Sequence, residues 1–227
     1  MEDIQLHIFI TRYHLEIQTE SIMPLFKVHN LWPIPVYDGE IPVREKWKVL
    51  IKGTEYERTH VNNSDISVDR YLLNSMPELK VEIENHCEYF VRKYLTIKDN
   101  AQFYLQNSWC NVHKPGEESQ IHYHGGSLLS GVYYPIFPEN SGDISFYKGV
   151  NYCNLFHPTI RVDFDDWTNV TAETYSLRLN EGKVVIFPAQ LEHKVHKNES
   201  DQNRYSLAFN FFVKGKFGRE EYQQEIK

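Results

Sequence analysis

Residues 128–147 read LLSGVYYPIFPENSGDISFY. Two runs rich in β-branched and aromatic residues, Leu128–Phe137 and Ile144–Tyr147, flank a Pro, Gly, Asn and Asp cluster at Pro138–Asp143. That order is strand, turn, strand. The same texture continues on both sides: Phe103–Val112, Thr174–Leu179, Lys183–Phe187 and Arg204–Val213 are predicted strands, with a turn signal at Asn180–Gly182. A helix precedes them. Leu79, Ile83, Cys87, Phe90 and Tyr94 recur at three- and four-residue spacing and give one apolar face. Ser75 with Glu78 three residues on has the form of a capping box, and Pro77 sits in the first turn. A bracing helix followed by many short antiparallel strands predicts an α+β protein, mainly β with flanking helices, built on a sandwich or barrel core.

The 227 residues show no repeat and no low-complexity linker, so a single domain spanning 1–227 is expected. It divides into N-terminal strands and the bracing helix (1–100), the β core (101–213) and a C-terminal tail (214–227). Short apolar runs at Leu25–Val28 and Trp47–Ile51, with Pro punctuation at Trp32–Pro35, fill the first part. Gly149–Val170 has no period and reads as a long loop placed to cover a site. Aromatics make up 14% of the chain, a surplus that favours pleated surfaces. The formal charge is −7 with no Lys/Arg stripe, which argues against a grip on nucleic-acid phosphates. Cys87, Cys110 and Cys153 are odd in number and lack a CxxC, so they read as reduced thiols. Met1–Leu15 is interrupted by Asp3, His7 and Arg12 and is neither a signal peptide nor a membrane span; a cytoplasmic protein follows.

Three of the eleven histidines are placed as a metal site needs. His122 and His124 are two apart, so on extended backbone both imidazoles share a face. His193 comes far later, after the run Gly182–Pro188, as a third ligand on a separate segment that leaves coordination positions open. A lone HxH is more often a solvated pair, and imidazole by itself suits iron, zinc, copper or nickel. Arg204 lies in a strand whose alternate residues Arg204, Ser206, Ala208 and Asn210 are small or polar, while Tyr205, Leu207, Phe209 and Phe211 are apolar. One face packs and the other lines a pocket, where a guanidinium needs an anion; a salt bridge at a sheet edge is the plainer alternative. Asn111 and His113 share another strand face. His157 and His196 read as exposed, and Trp109 with the Phe209–Phe212 cluster reads as core.

The ordered series NSWCNVHKPG, IHYHGGSLLSGVYYP, GKVVIFPAQLEHKVHKN and RYSLAFNF resembles the 2-oxoglutarate/iron(II) oxygenase superfamily, in its short phage and marine-bacterial type with a prolyl-hydroxylase-like strand pattern. The resemblance implies a double-stranded β-helix (jelly-roll, cupin-like) core. It implies Fe(II), 2-oxoglutarate and O2 as cofactor and cosubstrates, hydroxylation of a peptide side chain or small molecule, and, for a phage-encoded member, a place in the host cytoplasm. His122 then matches the first metal ligand and His193 the distal one. Arg204 matches the arginine that binds the far carboxylate of 2-oxoglutarate, with Ser206 its companion. Tyr134 resembles a tyrosine on the same carboxylate, and Asn111 and His113 fall against the cosubstrate. One departure is His124, where the family carries Asp or Glu. Three neutral ligands leave the ion its full double charge; Asp143 is an alternative carboxylate. A cupin-like three-histidine dioxygenase without 2-oxoglutarate, and a non-catalytic metal-binding or virion protein of the same fold, remain alternatives.

Overall fold

A computed structural model describes residues 33–59, 63–149, 163–168 and 170–227. The apolar run at Leu25–Val28, Cys153, His157 and most of the loop expected at Gly149–Val170 lie outside these residues. The unit Pro33–Lys227 begins with β1 (Tyr37–Glu40), α1 (Glu45–Lys52), β2 (Tyr56–Thr59) and β3 (Ser64–Ser67). Then come α2 (Pro77–Tyr89) and β4 (Ala101–His113). The core strands follow: β5 (Leu129–Ile136), β6 (Ile144–Tyr147), β7 (Thr174–Leu177), β8 (Lys183–Pro188), β9 (His193–Val195) and β10 (Arg204–Phe217). Gln224–Ile226 forms β11, which pairs with Gly215–Phe217. The stretch expected as a tail is therefore partly sheet.

The strands pair antiparallel in two sheets, β1-β8-β5-β10-β4-β3-β2 with β11 beside β10, and β7-β6-β9. This is the jelly-roll arrangement expected from the sequence, and the alternation along β10 shows how it is held. Leu207, Phe209 and Phe211 are buried on one face, in a cluster with Trp47, Ile51, Leu79, Ile83, Cys87 and Phe90 of the helical layer. Full burial of a side chain such as Phe209 contributes about 2–3 kcal/mol. The other face of the large sheet looks toward the small one, where Val132, Tyr134, Val185 and Phe187 meet Ile144, Phe146 and Val195. Helices thus support one side of the wall, and the hollow of the sandwich opens on the other.

Gly131 explains how closely this wall packs. A Cβ there would meet the Phe209 ring at 2.3 Å and the Val185 carbonyl at 2.7 Å, so only glycine fits.

The helix differs from expectation at both ends. No side-chain cap forms at Met76; Glu78 instead pairs with Arg44 and Lys46. Pro77 does occupy the first turn. Beyond Tyr89 the backbone widens into a π-helical turn, Phe90–Tyr94. The wider turn keeps Phe90 and Val91 buried but rotates Tyr94 outward, where it is 67% exposed. Cys87 and Cys110 are free and buried, and burial pushes both thiols up to about 12. Among the described residues no helix is long and apolar enough to cross a membrane.

Candidate active site

The mouth of the hollow holds the histidines. His122, His124 and His193 have one ring nitrogen each within 4.8 Å of the others, and their ring centroids are 4.3–5.3 Å apart. The backbone sets this convergence. His122 and His193 exchange main-chain hydrogen bonds of 3.0 and 2.9 Å as an isolated antiparallel bridge, and the His124 N–H donates to the Ala189 carbonyl. The HxH pair therefore sits on extended backbone anchored by a bridge rather than inside a longer strand. Two rings are also oriented from behind. The Nδ1 of His122 lies 2.8 Å from the Gln120 carbonyl, and that of His193 lies 2.9 Å from the Leu191 carbonyl. An N–H at Nδ1 leaves the Nε2 lone pair for an ion.

Burial disfavours the charged form of two of these rings. Burial, then the neighbouring His122, lowers His124 from 6.5 to about 4 and His193 to about 3. Phe187 and Phe146 pack on His193, with ring centroids 4.7 and 6.3 Å away. Three convergent imidazoles suit a divalent transition ion. Asp143 is not part of the cluster; its carboxylate accepts the Leu179 N–H.

Inward from the histidines runs a cavity of about 490 Å³ including its open mouth, walled by Trp109, Asn111, His113, Val132, Ser206 and Ala208. Strand register orders this wall. Trp109 pairs with Ala208, Asn111 with Ser206, and His113 with Arg204, so each step along the pairing goes deeper. From Ala208 to Arg204 is four residues, about 13 Å of strand.

Arg204 is wholly buried. Its Nη1 donates to the backbone carbonyls of Ser141, Gly142 and His196, which hold the guanidinium from one side. Among the described residues its Nε and Nη2 have no partner, nor does the buried Tyr134 hydroxyl, and no acid pairs with Arg204. Burial lowers it to about 10, with Tyr134 acting in the opposite direction, and burial raises Tyr134. An orphaned side-on guanidinium edge beside an orphaned hydroxyl is complementary to a carboxylate. These residues fit a metal ion at the mouth and an anionic group at the depth.

The structure thus gathers His122, His124, His193, Asn111, His113 and Ser206 around one cavity and sets Arg204 and Tyr134 beyond it. Two other expectations need correction. Trp109 is not core: it lines the cavity, its ring 5.7 Å from His124, because strand alternation puts it on the face of Asn111 and His113. His196 is half-buried rather than exposed, with Nε2 2.6 Å from the Ser145 hydroxyl, and lies outside the histidine cluster. Ser141 was read only as part of a turn, and no pattern in the sequence marks it.

Comparison with known proteins agrees with this layout. Residues 107–210 match the family described as "Putative 2OG-Fe(II) oxygenase". The fold is shared with SnoK, a non-haem α-ketoglutarate-dependent carbocyclase of nogalamycin biosynthesis (14% identity, 83% of this chain and 84% of that one, TM-score 0.53). It is shared with HygX of Streptomyces hygroscopicus, solved with nickel, 2-oxoglutarate and hygromycin B (11% identity, 79% and 83%, TM-score 0.51). A Pseudomonas putida prolyl-4-hydroxylase also has it (13% identity, 78% and 92%, TM-score 0.50). No curated protein sequence matches significantly. Residues 107–210 thus match a family of 2-oxoglutarate- and Fe(II)-dependent oxygenases, and the solved structures share the fold. The description of that family names 2-oxoglutarate and Fe(II).

Proposed function

We propose that the chain is a dioxygenase that holds Fe(II) on His122, His124 and His193 and anchors 2-oxoglutarate with Arg204. Its reaction hydroxylates a C–H bond of a peptide side chain or small molecule, with release of succinate and CO2. The observation that carries this is the buried Nε/Nη2 edge of Arg204, unpaired and one register step beyond the cavity that starts at the histidines.

Bound iron supplies activation of O2 and oxidation of the C–H bond, with 2-oxoglutarate as the electron source. The protein's residues do the rest. His122 and His193 are held with Nε2 outward by the carbonyls of Gln120 and Leu191. Arg204 and Tyr134 take the far carboxylate, while Ser206, Asn111 and His113 line the path to it. Phe146 and Phe187 shield His193 from water. Trp109, beside His124, shapes the approach of substrate. With three neutral ligands the ion keeps its double charge, which favours a dianionic cosubstrate.

The test is an anaerobic titration of the Fe(II) protein with 2-oxoglutarate. A visible charge-transfer band, followed by oxygen-dependent succinate formation, is expected. Absence of the band would favour a three-histidine dioxygenase that does not use 2-oxoglutarate. A band without any succinate would indicate a binding protein of the same fold.

A further inference from the structure

We infer that the Ser141 hydroxyl, carried on the turn between β5 and β6, is a further donor to the carboxylate held by Arg204 and Tyr134, and sets the site's preference for a carboxylate end. This rests on the cosubstrate reading above.

Ser141 is fully buried, yet among the described residues its Oγ has no partner. A buried hydroxyl left unbonded costs about 1–3 kcal/mol, and native structures keep few such groups. A serine that merely served a turn would face water. This one lies against the guanidinium, since its own carbonyl accepts from Arg204 Nη1. With Nη1 occupied by backbone, Arg204 Nε and Nη2, Tyr134 Oη and Ser141 Oγ are the donors of these three residues left without a partner among the described residues. An ionised carboxylate offers about four lone-pair sites and no donor. The count matches. A primary amide at the same place would bring two N–H groups against these donors.

The turn is built to hold this position. Ser141 N–H bonds to the Pro138 carbonyl, and Glu199 N–H bonds to that of Asn140. Gly142 has φ +89°, and a Cβ there would lie 2.4 Å from the His196 carbonyl oxygen and 2.6 Å from that of Lys197. Only glycine lets the turn seat so closely on 196–199, and this seating presents Ser141 to Arg204.

The test is calorimetric titration of the full chain, loaded with Mn(II), with 2-oxoglutarate and separately with pyruvate. Pyruvate has the same 2-oxo acid but no second carboxylate. In Ser141→Ala the affinity for 2-oxoglutarate should fall about tenfold while that for pyruvate stays unchanged. Equal affinity of Ser141→Ala and wild type for 2-oxoglutarate overturns the inference, as does a parallel loss of both ligands, which marks a purely structural serine. Wild-type protein that binds no 2-oxoglutarate at all overturns the cosubstrate reading and this inference with it. Should Ser141→Ala not fold, Ser141→Cys keeps the shape with a weaker donor. It should lose about threefold on 2-oxoglutarate only, and no selective loss would again be decisive against the role.

Discussion

Replacing Arg204 by lysine keeps the charge and removes the fork, which separates the two contributions of this residue. Arg204 has five N–H donors. Three backbone carbonyls draw on Nη1, at 3.0 Å for His196, 3.2 Å for Gly142 and closer for Ser141. Nε and Nη2 are thereby left without a partner among the described residues. A lysine ammonium has three donors in all. If it satisfies the carbonyls it has none for a carboxylate; if it turns to the carboxylate it strands buried carbonyls. Allowing it one bond to the ligand, Arg204→Lys forfeits one charge-assisted hydrogen bond, about 1.5–3 kcal/mol. The affinity for 2-oxoglutarate should fall about 10- to 150-fold. Calorimetry on Mn(II)-loaded protein measures it, with pyruvate as the ligand that should be indifferent. A variant binding 2-oxoglutarate within threefold of wild type would refute the placement of the second carboxylate against Arg204. So would a pyruvate affinity that falls as far as that of 2-oxoglutarate.

The metal-free protein should lose stability in mild acid through His124 and His193. Their folded pKa values, about 4 and about 3, lie below the ordinary 6.5, so the unfolded chain takes up their protons first as pH falls. This stability is complete above about pH 6.5 and is lost from there toward pH 4, at up to ~1.4 kcal/mol per pH unit for each ring. Urea unfolding of chelator-treated protein at pH 7, 6 and 5 measures the slope, and His193→Gln should flatten it; an unchanged slope contradicts the buried, neutral ring. Gly142→Ala should destabilise by about 2–3 kcal/mol, since it combines a left-handed φ with a carbonyl in the way of the new Cβ. For a domain of this size the melting temperature should drop by about 5–10 °C, and a melt within about 1–2 °C of wild type would show the turn can yield.

Much of this architecture can be read from residue order. Strands β4, β5, β6, β8 and β10 are marked by alternation and aromatic content, and β10 in particular announces both of its faces, Arg204–Asn210 against Tyr205–Phe211. The histidine triad is legible because its members fall within an ordered series of motifs whose flanking runs are strand-like. The failures have physical causes. Strands β1, β2, β3 and β9 have three or four residues and are largely polar or charged, so neither a period nor the aromatic and β-branched content that marks β6 shows in them. The Ser75–Glu78 spacing satisfies a capping rule, but two nearby cations compete for Glu78 and win. Trp109 looks like core by composition, and only the register across from Ala208 shows it facing the cavity. The clamp on Arg204 is invisible to pattern because it is made of carbonyls, which every residue has.

The large sheet is one wall with two tenants, packed apolar side chains behind and an unfilled chamber in front. Along β10 the two duties alternate from one residue to the next. Exchanges at Leu207, Phe209 or Phe211 act on how firmly the chain folds, whereas exchanges at Ser206 or Ala208 change what the chamber admits at little cost to rigidity. A sequence so divided can drift toward new substrates one position at a time without first having to rebuild its own support.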